Sequence, residues 1–269
     1  MKTVPKAPAV ALAYGLALWP QAHWFIARTK DQSDDPLGIL ALATAALLAW
    51  SQRHRLRGAP LLGWVTLVLT VVTSFVFPPM LTGALALLAI AFASGLFRSA
   101  GLTGLLLLAL PLIASFNFYC SWPLRIGISA CSTFILNLLG LTVTREGALL
   151  IYQNTEVGVD APCSGVCMIW FTAYLTCTLF TWHRLSWKKF VKLLPLALLL
   201  SFGANITRAT LLFFPESNLI TLPYWSHQAV GVLLHLAVAL LISLLVTRTN
   251  QKTQCSIKHH SSSSAPASA

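Results

Sequence analysis

The chain has 269 residues, of which 57% are hydrophobic and only 9% charged, with a mean hydropathy of +0.75. A soluble domain carries about 25% charged residues, so the composition excludes a soluble globular protein and leaves an integral membrane protein. The net charge of +11 does not point to nucleic acid, because the basic residues sit in short loops between apolar runs. The positive-inside rule distributes them in that way, so they report orientation.

Taken in order, Lys2 and Lys6 precede a first apolar run, Ala7 to Ile26, read as an uncleaved anchor. An acidic loop follows with Asp31, Asp34 and Asp35, then a second run, Pro36 to Trp50, that ends at Arg53, His54, Arg55 and Arg57. The third run, Pro60 to Phe77, stops at Pro78-Pro79, where two prolines break a helix. The fourth covers Met80 to Phe97, and the fifth Gly101 to Phe118 with a kink expected at Pro111.

From Tyr119 the character changes. Trp122 to Leu141 is only moderately apolar and carries Arg125, Ser129, Ser132, Thr133 and Asn137, so it reads as a re-entrant or interfacial segment. Leu141 to Val159 is polar and in places β-branched, the pattern of a short hairpin. A helix from Cys163 to Trp182 follows, then a basic loop with His183, Arg184, Lys188, Lys189 and Lys192. Two further runs, Leu193 to Phe214 and His227 to Val246, flank a loop through Pro215, Glu216 and Pro223. The expected architecture is an all-α polytopic membrane protein of about eight transmembrane helices, one domain over residues 1–248, with a disordered cytoplasmic tail over 249–269.

Charge sets the orientation. The N-terminus, the Arg53 to Arg57 loop, Arg98, the Arg184 to Lys192 loop and the tail are the cytoplasmic candidates. Counting spans from either end agrees only if Trp122 to Leu141 does not cross, which puts Tyr119 to Ala161 on the outer face. Cys163, Arg208 and His227 then fall toward that face of an inner (cytoplasmic) membrane.

Asp160-Ala161-Pro162-Cys163-Ser164-Gly165-Val166-Cys167 is the stretch with chemical content. Pro162 and the N-cap type Ser164 predict a helix start there. The first turn of a helix presents unpaired N–H groups and a positive dipole end, which favours an anion. A cysteine in that setting is activated toward the thiolate. Arg208 lies within an apolar run, where an arginine is costly unless it faces the protein interior or a polar cavity. The six cysteines, Cys120, Cys131, Cys163, Cys167, Cys177 and Cys255, do not form a secreted disulfide framework, and no His/Cys group has zinc-ligand spacing. No metal and no cofactor are expected.

Ala161-Pro162-Cys163-Ser164-Gly165, Asn205-Ile206-Thr207-Arg208 and His227-Gln228-Ala229-Val230-Gly231, in that order, resemble the motifs of the exosortase/archaeosortase family of membrane cysteine transpeptidases. The similarity covers most of the chain and includes the acidic loop Asp34-Asp35-Pro36-Leu37-Gly38. The proline before Cys163 and the valine after Gly165 depart from the family pattern and mark a divergent subgroup. The resemblance implies Cys163 as nucleophile, His227 as general acid and base and Arg208 as oxyanion stabiliser. Asn205 would bond Arg208 or substrate, Asp160 would hold His227 or Arg208, and Ser164, Gly165 and Gly231 would support the site. It also implies, as partners, exported proteins whose C-terminus carries a recognition motif, a transmembrane helix and a basic cluster, together with the lipid bilayer and an envelope acceptor of unknown identity; nucleic acid is not among them. Two rivals remain: a non-enzymatic transporter or scaffold in which Arg208 lines a path, and a membrane thiol oxidoreductase that uses Cys163 and Cys167.

Overall fold

A computed structural model describes residues 7–30, 37–159, 165–223 and 225–263, with side chains from residue 8 to residue 251. Cys163, Asp160, Ser164 and the acidic group Asp31, Asp34 and Asp35 lie outside the described residues. The chain packs as two compact units, Met1–Ser115 and Phe116–Ala269.

The first unit holds α1 (Ala7–Ala17), α2 (Trp19–Lys30), α3 (Leu37–Gln52), α4 (Pro60–Thr73), α5 (Pro79–Ser94) and α6 (Ala100–Leu108). The single run expected over Ala7 to Ile26 is two helices parted at Leu18. Pro20 explains the break, since it lacks an N–H and its ring crowds the carbonyl one turn before it. Leu18 then packs into a core with Leu67, Ala86 and Ala89. Pro78-Pro79 separates α4 from α5 as expected, with Pro79 in the first turn of α5, a position that has no need of an N–H donor. The close approach of α3 to the chain just past α6 is made at Gly38, which lies directly against the Ala109 carbonyl. At another corner, Arg98 Nε donates to the Arg57 carbonyl at 2.9 Å, so two of the basic loops lie together.

The helix breaks at residues 109–111, where a kink was expected at Pro111, and α7 (Leu112–Leu138) begins beyond it. The boundary expected between Phe118 and Trp122 is absent. α7 runs without interruption through Pro123, which sits inside the helix, so one proline has not ended a helix whose neighbouring turns are well formed. In the second unit α7 leads to β1 (Thr144–Glu146), β2 (Leu149–Tyr152) and β3 (Thr155–Gly158), an antiparallel sheet in the order β1-β2-β3. Three strands stand where a short hairpin was expected. The β2–β3 turn, Gln153-Asn154, has positive φ at both residues (45° and 65°), the requirement of the two-residue turn that matches strand twist. One face of the sheet buries Leu150 and Val157 against Leu136 of α7 and Phe213 of α9 (Trp187–Glu216). Asn137 fastens the start of the sheet, accepting from Val143 N at 2.8 Å and donating to Val143 O at 3.1 Å.

The second unit is completed by α8 (Val166–Trp182), α9 and α10 (Ser226–Ser263). α10 continues past residue 249 to Ser263. No Gly or Pro occurs between Val232 and Ala265 to stop its propagation.

Two of the described helices, Trp187–Glu216 and Ser226–Gln251, are long and apolar enough to cross a membrane, and a third if the broken pair Ala100–Leu108 and Leu112–Leu138 is one span. The eight spans expected from hydropathy are therefore not all full-length helices. Pro60–Thr73, Pro79–Ser94 and Val166–Trp182 are apolar but have 17 residues or fewer, whereas a helix crossing about 30 Å of hydrocarbon needs about 20. The helical content and the apolar helices are those of an all-α membrane protein.

The sheet core supplies a stability test. Leu150 is 1% exposed, so Leu150→Ala is expected to cost about 2–5 kcal/mol. Leu149 on the other face is 38% exposed, and its truncation should stay within about 0.5 kcal/mol. Thermal unfolding of the full protein in detergent reads the difference; equal losses at the two positions would contradict the packing described.

Candidate active site

α8, α9 and α10 alternate in direction. Gly165 lies against Asn205 and Phe180 against Phe190, which makes α8 antiparallel to α9. Gly231 lies against Arg208 and Lys189 Nζ donates to Thr249 O at 3.4 Å, which makes α9 antiparallel to α10. The start of α8, the last turns of α9 and the start of α10 thus share one end of the unit. The other end gathers basic-loop residues, including the 3.2 Å contact between Asn250 Nδ2 and His183 Nδ1.

Two glycines make the close approaches at the shared end. Gly165 caps α8 with φ +79°, a left-handed conformation that glycine adopts without penalty. A Cβ built on Gly165 would stand 2.6 Å from Asn205 Nδ2 and 2.9 Å from its Cγ, closer than atoms pack. Helix α8 begins at Val166 with Gly165 as its N-cap, not Ser164 as the sequence suggests. Cys163 therefore precedes the first turn by three residues in the sequence, and the N-terminal end of α8 is one that favours an anion.

Asn205 is 2% exposed and sits one turn before Arg208 on α9. Arg208 lies about 12 Å by helix rise from the end of α9 at Glu216. Its Nε is buried and has no hydrogen-bond partner among the described residues, a state that costs about 1–3 kcal/mol for a polar group. Gly231 lets the guanidinium lie flat against α10: a Cβ there would stand 3.2 Å from Arg208 Nε and 3.4 Å from Cζ. Four residues before Gly231, on the same face of α10, is His227.

His227 Nε2 is 3.5 Å from Glu216 Oε1, the two side chains being 43% and 38% exposed. Both line a cavity of about 380 Å³ with Leu212, Pro215, Ser226 and Gln228. Sequence reasoning missed Glu216, taking it as part of a loop. A signal was available, since Glu216 is the one acidic residue after Asp160. Of the residues expected to form the site, the structure brings together Gly165, Asn205, Arg208, Gly231 and His227; Cys163, Asp160 and Ser164 fall outside the described residues. Cys167, the partner required by an oxidoreductase reading, is exposed in the first turn of α8. Among the described residues no three His, Cys, Asp or Glu side chains gather as metal ligands would.

The fold and this end of it define a helical membrane protein that holds an arginine, an asparagine and a histidine–glutamate pair where three helices converge. The family model described as transmembrane exosortase (Exosortase_EpsH) matches residues 7–244, and the chain belongs to that family, whose members act in general as membrane transpeptidases or proteases. No curated protein and no solved structure matches the chain.

The two glycines respond differently to a methyl group. Gly165→Ala meets both a left-handed φ and the buried Asn205, and is expected to destabilise by about 1–3 kcal/mol and to abolish activity. Gly231→Ala displaces only the far end of a flexible side chain, so the fold should survive while turnover falls roughly tenfold through a misplaced Arg208. Melting temperature and turnover measured side by side test this; an unchanged Gly165→Ala protein would contradict the contact.

Proposed function

We propose that this protein is a cysteine transpeptidase of the inner membrane that cuts the C-terminal sorting signal from exported proteins at the outer face. Its substrates carry a short motif, a transmembrane helix and a basic cluster, of the PEP-CTERM kind, and the acyl group passes to an envelope acceptor or to water. The observation that supports this best is the convergence of Gly165, two residues after Cys163, with Asn205, Arg208, Gly231 and His227 at one end of α8, α9 and α10 in a member of the exosortase family.

The Cys163 thiolate attacks the scissile carbonyl, forming a C–S bond while the carbonyl electrons move to oxygen. Arg208 donates to that oxyanion, a role in which one lost donor costs about 10²–10³ in rate. Collapse breaks the C–N bond, and protonated His227 gives its proton to the departing amine. The neutral imidazole then takes a proton from the acceptor as it attacks the thioester, and the thiolate leaves. Asn205, against Gly165 and one turn from Arg208, holds the cysteine segment and the arginine in register. Eight crossings, some made by short or broken helices, bring the sheet β1-β2-β3 to the outer face.

The triad is tested as a unit. Cys163→Ala should abolish conversion of a substrate with an intact C-terminal helix to the shorter form, read by gel shift. Adding Arg208→Ala or His227→Ala to it should lower the rate little further, because members of one catalytic unit are strongly non-additive. Arg208→Lys should also be severe, since a point charge replaces a planar fork of donors. Expression and membrane insertion are followed in parallel. Wild-type processing by a folded Cys163→Ala protein would replace this account with the transporter or scaffold reading; equal losses in Cys167→Ser and Cys163→Ser would favour the oxidoreductase.

Topology is tested separately with an impermeant thiol reagent. A cysteine placed at Thr144 should label in intact cells and one placed at Lys188 only after lysis; the reverse pattern would contradict the orientation.

A further inference from the structure

We propose that Glu216 is the positioning residue of His227, holding the imidazole through Nε2 so that the proton moves at Nδ1. The inference rests on the transpeptidase reading and concerns a residue that the three sequence motifs do not include.

The two residues sit at helix ends that suit neither charge. Glu216 is the last residue of α9, where the negative end of the helix dipole disfavours a carboxylate. His227 lies in the first turn of α10, where the positive end disfavours an imidazolium, and it shares its helix face with Gly231, on which the Arg208 cation rests. Dipole and arginine both oppose the protonated histidine that the leaving amine requires. The Glu216 carboxylate, 3.5 Å from Nε2, offsets them. The same pairing offsets the carboxylate's own unfavourable place.

Geometry agrees with this role. Pro215 immediately before Glu216 restricts the backbone at the end of α9, and Ser217, which is buried, donates from its backbone to Phe213 O at 2.9 Å. The position of Glu216 is thereby set by α9 and not by a wandering loop. Its carboxylate lines the 380 Å³ cavity and meets His227 of α10. A carboxylate on one ring nitrogen fixes the tautomer and directs the proton-transferring lone pair to the other. In the reaction written above the proton leaves Nδ1 for the amine as the C–N bond breaks, and returns to Nδ1 from the acceptor; Glu216 stays ionised throughout.

The test uses the purified full-length protein in lipid nanodiscs and a synthetic substrate with an intact sorting signal. Glu216→Ala should lower kcat roughly 10- to 100-fold with KM little changed, a share of the 10²–10⁴ that general acid–base catalysis supplies. Because the side chain borders an open cavity, added acetate should restore several-fold of the lost rate to Glu216→Ala and none to His227→Ala. A structural residue would show no such rescue. Glu216→Gln, of the same shape, covers the case in which the alanine variant fails to fold, and should lose most of the rate with an unchanged melting temperature. Wild-type kcat in Glu216→Gln, or a folded Glu216→Ala protein that is slow but indifferent to acetate, would overturn the assignment. Cys163→Ala is run alongside: if it is inactive while Glu216 variants are normal, this inference alone fails, whereas an active Cys163→Ala protein sinks the transpeptidase reading beneath it.

Discussion

Glycine at two helix crossings is the constraint on which this end of the molecule depends. Gly165 admits Asn205 at a separation that a Cβ would forbid, and Gly231 admits the Arg208 guanidinium where a Cβ would push it aside. Those two absences of a side chain bring α8 and α10 onto α9 from opposite directions along the chain. Small residues serve the same purpose wherever helices pack in lipid, since backbone approach is what gains van der Waals contact there. Here the space so created is occupied by polar groups instead of by the facing backbone.

That substitution has an energetic reason. An arginine and an asparagine deep in an apolar helix are unfavourable unless protein surrounds them. The buried Nε of Arg208 has no hydrogen-bond partner among the described residues. An unsatisfied donor is unhelpful to folding, and such a donor can stabilise a charge that develops only during reaction. The histidine–glutamate pair follows the same logic at the rim, where exposure makes it weak as a stabilising ion pair, at about 0–1 kcal/mol. In the assignment proposed above, its value is orientation. The sheet β1-β2-β3, anchored through Phe213 near the end of α9, braces the helix turn from which Glu216 projects.

Much of the candidate site was legible in the sequence because its residues contradict their surroundings. Arg208 and Asn205 interrupt an otherwise apolar run, and a Pro-Cys-Ser-Gly passage interrupts the approach to another. Gly165 and Gly231 were visible as members of motifs, but the reason for each is a tertiary contact that no local pattern encodes. Glu216 was not seen, because a proline followed by an acid reads as the start of a loop, while the helix in fact continues to that acid. The helix inventory was legible to within its breaks. Pro20 and Pro111 ended helices and Pro123 did not, and a hydropathy count cannot tell these apart, which is why eight apolar runs do not yield eight full-length spans.

The central claim is that Cys163 carries the acyl group between cleavage and transfer. Rapid acid quenching of the enzyme during turnover, followed by intact-mass and peptide analysis, tests it most directly. The account predicts an adduct on the peptide that contains Cys163, equal in mass to the substrate's N-terminal portion up to the scissile bond, removed by hydroxylamine and matched by release of the C-terminal helix. Substrate cleavage with no adduct at any time point, persisting when Cys163 is replaced by alanine, would contradict it.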